Sequence, residues 1–166
     1  MRYMICFLLS VLMIGCGCSE EAEEKVAEKI AEKAIEARTG QEADVDVEKE
    51  SMRIKTKDGE MTMTSGKAAQ LPDDFPADIP ICEGCTLDMA MEVPQGYSLS
   101  YTTKDDASTV SEWYLNAMID KGWTKEAFMD MGEQTMLVFR KGERAVNLSI
   151  SRDNDQTRVS LTSAKG

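Results

Sequence analysis

Apolar and polar residues change their spacing several times along this chain, and each change marks an element. An unbroken apolar run from Met4 to Ile14 opens it. From Ser19 to Arg38 the spacing becomes helical, with Ala22, Val26, Ile30 and Ala34 four apart and Ala27, Ala31 and Ile35 beside them. Ser19 suits the N-cap, the glutamates that follow suit the positive end of the helix dipole, and Gly40 suits the stop. The period then drops to two. Val45 and Val47, Met52 and Ile54, and Met61 and Met63 alternate with charged or hydroxyl residues, and Asp58-Gly59 supplies a hairpin turn. Residues 16–64 therefore read as a helix that could dock on a small three-stranded antiparallel meander.

Leu71-Pro72, Phe75-Pro76 and Ile79-Pro80 interrupt both periods, so residues 65–80 read as a linker on an extended, polyproline-like path whose apolar residues cover the next domain. A second domain occupies residues 81–163. Leu87, Met89, Met91 and Val93 alternate along one strand and Tyr97, Leu99 and Tyr101 along the next, with Pro94-Gln95-Gly96 as the turn. Asp105 or Asp106 caps a helix running to Lys121, and Gly122 stops it. Strand-like runs follow at 123–129, 135–140, 144–151 and 157–162, punctuated by Gly132, Lys141-Gly142 and Asp153-Asn154-Asp155. The expected fold class is α+β: the N-terminal helix and meander, then a single helix packed on a curled antiparallel sheet.

The opening run changes the picture of where the chain works. One early charge, Arg2, precedes it, and it is too short for the roughly 20 apolar residues of a membrane-spanning helix. It ends in Gly15-Cys16, as a secretory signal over residues 1–15 would. Leu12-Met13-Ile14-Gly15-Cys16 resembles the bacterial lipobox, in which the cysteine thiol takes an acyl (palmitate) chain and becomes the first mature residue. The resemblance implies a lipid on Cys16, with Cys18 as the alternative acceptor. Gly17 or Ser19 would then follow the modified cysteine, where an Asp favours inner-membrane retention in enterobacteria. The expected address is the bacterial envelope, periplasm-facing, at the inner face of the outer membrane.

Charge narrows the partners. With 19 basic and 30 acidic side chains the net charge is −11, so nucleic acid and anionic bilayer surfaces are disfavoured; the membrane would be held through the lipid and the partner would be an envelope protein. The chain has no histidine, which removes the commonest catalytic base and the commonest metal ligand. Neither a phosphate-binding glycine loop nor a nucleophile elbow occurs. An enzyme is not expected.

Two constellations retain chemical potential. Cys82-Glu-Gly-Cys85 lacks the helix N-terminus that activates a redox pair, the histidine of a haem site and the further ligands of a zinc site, so a structural disulfide is expected and a thiol-disulfide role is the alternative. Three Met-x-Met pairs, at 61 and 63, 89 and 91, and 129 and 131, are either core packing or soft ligands. Cys82, Cys85, Met89 and Met91 together would suit Cu(I) or Ag(I). No other cofactor is expected.

Val110-Ser-Glu-Trp-Tyr114 and the terminal Gly122-Trp123, preceded by Phe75-Pro-x-Asp-Ile-Pro80, resemble a domain recurring in uncharacterised bacterial lipoproteins and secreted proteins. The similarity spans roughly residues 71–162 and implies a periplasmic module without assigned catalytic residues. The function expected from all of this is a non-catalytic binding or scaffold module on a lipid anchor. Trp113 and Tyr97 are its candidate contact residues if they escape the core.

Overall fold

The computed structural model describes residues 20–39 and 42–164; Cys16, Cys18, Ser19 and Gly40 lie outside the described residues. Its elements are α1 (Glu20–Thr39), β1 (Asp44–Glu48), β2 (Ser51–Thr56), β3 (Gly59–Ser65), a 3-10 turn (Gly66–Ala68), β4 (Thr86–Val93) and β5 (Gly96–Thr103), then α2 (Ala107–Asp120), β6 (Thr124–Asp130), β7 (Gln134–Lys141), β8 (Arg144–Asp153) and β9 (Gln156–Ala164).

All nine strands form one sheet in the order β1-β2-β3-β4-β5-β9-β8-β7-β6, with every neighbouring pair antiparallel. The α+β expectation of a separate three-stranded meander beside a second sheet is thereby corrected. The join is β3 to β4, where Thr62, Met63, Thr64 and Ser65 stand opposite Glu92, Met91, Ala90 and Met89. Its physical reason lies in β4, which is apolar on both faces. Ala90 is buried on the face that α2 covers, while Met89 and Met91 point the other way. A strand of that kind, left at an edge, would expose unpaired backbone and apolar side chains together, and β3 covers both.

The apolar side of the sheet consequently changes face at β4. From β5 to β9 the buried residues form the front: Leu99 and Tyr101, Val159 and Leu161, Leu148 and Ile150, Leu137 and Phe139. From β1 to β3 the apolar residues are on the back, with Val45 buried and Met52, Ile54, Met61 and Met63 half-buried. α1 lies against β1 and closes that edge, where the Val47 N–H donates to the Glu28 carboxylate at 3.3 Å.

α2 lies across β8, β7 and β6, towards the far edge of the sheet, and buries Val110, Tyr114 and Met118 on the front face. Asp106 is its N-cap; the carboxylate accepts from the Thr109 N–H at 2.9 Å. At the other end the Trp123 N–H donates to Met118 C=O at 3.0 Å and the Gly122 N–H to Ile119 C=O at 2.9 Å, with Gly122 at φ +82°. Those two bonds are a Schellman stop, which requires the left-handed residue and brings Trp123 against the helix it terminates. The Gly-Trp pair is thus explained by local geometry.

Candidate functional site

Residues 69–85 form a strap across the end of α2 and the β7–β8 hairpin. Its apolar-Pro repeats do not run extended, as the sequence reading expected. The Phe75 N–H donates to Pro72 C=O and the Ile79 N–H to Pro76 C=O, both at 3.0 Å, so Pro72 and Pro76 each open a tight turn. Asp73-Asp74 and Ala77-Asp78 are the central pairs of these turns. The repeats deliver Ile79 into the core and set Phe75 edge-on to Tyr97, with ring centroids 5.3 Å apart.

Two aromatic donors hold the strap backbone. The Tyr97 hydroxyl donates to Asp74 C=O at 3.1 Å, and the Trp123 indole N–H to Asp78 C=O at 2.8 Å. The Asp78 carboxylate accepts from Arg144 at 2.9 Å and from the Lys141 ammonium at 2.8 Å, while the Arg144 guanidinium lies 5.0 Å from the Trp123 ring centroid. The Arg144 hydrogen bonds, with Lys141 adding to them, hold the Asp78 carboxyl well below the usual carboxylate range against the opposing effect of burial. A carboxylate depressed on folding stabilises at every pH above its unfolded value of about 3.9, and that contribution is lost as pH falls through the folded value. Urea midpoints measured between pH 7 and pH 2 should therefore fall more steeply for the wild type than for Asp78→Asn. Parallel curves would show that the strap does not depend on this charge.

Between the strap and α2 runs an open groove of about 570 Å³. Leu71, Phe75 and Pro76 form one wall, Trp113 and Ala117 the other, and Glu83, Asp120 and Lys121 its charged rim. Trp113 is 36% exposed and stands edge-on to the buried Tyr114, with centroids 4.8 Å apart. Of the two aromatics singled out from the sequence, Trp113 escapes the core and Tyr97 does not, being 4% exposed. Asp78 and the strap wall were missed as site residues; the apolar-Pro repeat was the signal available.

Cys82 and Cys85 are joined as a disulfide across a tight turn in which the Cys85 N–H donates to Cys82 C=O and Gly84 takes φ +77°. A cavity of about 90 Å³ separates Cys82 from Thr109, Val110 and Trp113 of α2, with Glu83 and Asp105 at its margin. The turn is followed by strand β4, so neither cysteine opens a helix of its own, and the carboxylates of Glu83 and Asp105 at the cavity margin would oppose a thiolate.

Sheet parity separates the proposed soft-metal set. Cys82 and Cys85 pack against the front core, whereas Met89 and Met91 lie on the back, opposite Ser100 and Ser98 of β5. Among the described residues no three His, Cys, Asp or Glu side chains come together as a metal site, and no helix is long and apolar enough to cross a membrane. Asp153-Asn154-Asp155 is the β8–β9 hairpin turn, with Asn154 at φ +56° and the Asp153 carboxylate bound to Arg158.

The stretch that carries α2 and the sheet beneath it, from β4 to β9, is also where a relationship to known proteins emerges. Residues 87–158 are similar to a START domain-like family. No curated protein and no solved structure matches the chain. The matched stretch supplies Trp113 and Ala117 of the groove, while the strap that forms its other wall lies outside it. A START domain-like unit is compatible with a non-catalytic binding module.

Proposed function

We propose that this protein is a non-catalytic binding module that takes a small apolar ligand in the groove between the strap and α2. The carrying observation is Trp113. Of the two tryptophans, Trp123 is 3% exposed and fully used by the fold, while Trp113 stands over the groove. An aromatic wall with few polar groups at the rim is the usual composition of a small-molecule site, and the volume falls within the range of about 300–1,000 Å³ such sites occupy. The similarity to a START domain-like family supports binding over catalysis. The chain also has no histidine to act as a general base. In this reading the lipid on Cys16 tethers the module at the bacterial envelope, facing the periplasm, and a partner there would receive or supply the ligand.

The test is titration with the fluorescent apolar probe N-phenyl-1-naphthylamine, following probe emission and Trp113 quenching together. Saturable binding at one site is expected, weakened about tenfold or more in Trp113→Ala, as loss of a central aromatic anchor costs about 2 kcal/mol. Binding that is non-saturable, or unchanged in Trp113→Ala, would overturn the proposal.

A further inference from the structure

The back of the sheet carries a second feature that the groove does not use. Strand register places Met52 of β2 directly opposite Met63 of β3, and Met63 directly opposite Met91 of β4. Three thioethers therefore stand in one row across three adjacent strands. All three are half-buried, so they are shielded by neighbours yet reachable from solvent. Directly opposed residues have Cβ atoms about 4.5–5.5 Å apart and point to the same face. The outer two side chains are long enough to lean over the central one, so the three sulfurs can meet above Met63.

We infer that the Met52-Met63-Met91 row is a binding site for one soft monovalent cation, Cu(I) or Ag(I). Thioethers are soft, uncharged ligands and select such ions over Zn²⁺, Mg²⁺ or Ca²⁺. On this face Ile54 and Met61 form an apolar row on one side and Val47 ends the row, while the hydroxyls of Ser98, opposite Met91, and Ser65, opposite Met89, flank it elsewhere. The cysteines do not compete, because Cys82 and Cys85 are bonded to each other on the opposite side of β4. The net charge of −11 raises the local concentration of any cation. Packing alone does not select methionine at this row on three strands, since branched aliphatic residues fill a pleated face better. This site differs from the cysteine-containing set that was the alternative reading of the sequence and is independent of the groove.

Thioethers have no proton to lose, which sets them apart from thiolates and carboxylates, whose metal affinity rises with pH. The test is anaerobic competition of the full-length protein with bathocuproine disulfonate for Cu(I). One equivalent should bind, with an affinity that is flat between pH 5 and pH 8. Outer-shell partners alone are worth about 10–100-fold in metal affinity, so the ligand change Met63→Leu should cost at least about tenfold. Leucine conserves volume and should keep the fold. The Cys82→Ser, Cys85→Ser double variant and Met129→Leu should bind as wild type does. In the unmodified protein, Ag(I) should protect Met52, Met63 and Met91 from peroxide oxidation, read by mass spectrometry, while Met131 oxidises as before. No binding by wild type, binding that survives Met63→Leu unchanged, or binding lost with the cysteine pair would each overturn the inference.

Discussion

Replacing Trp123 with alanine should cost about 3–5 kcal/mol, the usual cost of deleting a fully buried large aromatic, and lower the melting temperature by about 10 °C. The side chain is 3% exposed and joins three parts of the chain. Its backbone closes the Schellman stop of α2, its indole N–H holds the strap at Asp78, and its face receives Arg144 of the β7–β8 hairpin. Alanine would open a cavity there and leave the Asp78 carbonyl without its donor. Trp123→Phe separates the two effects: the ring is nearly retained, so the loss should shrink to about 1–3 kcal/mol, the cost of an unpaired buried polar group. Urea denaturation of both variants measures this. A change below about 1 kcal/mol in Trp123→Ala would mean that the strap is held elsewhere, set against a total stability of about 5–15 kcal/mol. The groove should follow the strap, so ligand binding in Trp123→Ala should weaken even though Trp113 is untouched.

Gly96→Ala should also be strongly destabilising, because the added Cβ would meet the backbone of a neighbouring strand. Gly96 opens β5 between two strands, opposite Val93 of β4 and Ala164 of β9. A Cβ at this position would overlap the Ser163 carbonyl oxygen, and the clash is with backbone, not with a side chain that can rotate away. β9 would have to move off β5 at the centre of the sheet. Overpacking of this kind costs about 1–3 kcal/mol, and backbone displacement places the expected value at the upper end. Gly142 is the control. It has φ +62° and nothing within 4 Å of its added Cβ, so Gly142→Ala should cost only the conformational penalty of about 1 kcal/mol. Amide exchange at Ser163 and Ala164 should accelerate in Gly96→Ala and not in Gly142→Ala. Equal melting temperatures for the two variants would disprove the close-approach argument.

Much of the local structure was legible because its determinants are local. Helix α2 could be placed from Asp105 or Asp106 at its start, of which the fold uses Asp106, and from Gly122 at its end, since capping depends on a side chain and a glycine within one turn. The alternation of Thr157, Val159, Leu161 and Ser163 marks β9, and all four are buried. Tyr97 and Trp113 look equally aromatic in the sequence and end in different environments. Tyr97 follows the inward parity of β5, whereas Trp113 is next to the inward Tyr114 on a helix and so turns outward. The proline repeats were misread as extended because X-Pro preferences describe single residues, while the bonds from Phe75 to Pro72 and from Ile79 to Pro76 close turns over four.

By itself the sequence determined the elements and their inner faces, the acidic character that disfavours phosphate backbones, and the absence of histidine. Only the tertiary structure decided which strands are neighbours, because pairing brings together residues distant in the chain and the same alternation serves a separate meander or one continuous sheet. That decision merged nine strands through the two-faced β4. It also divided the sulfur chemistry, placing the Cys82–Cys85 disulfide on the front and gathering Met52, Met63 and Met91 into one row on the back. Spacing along the chain reports only which residues share a strand face, and the partners across the sheet follow from register.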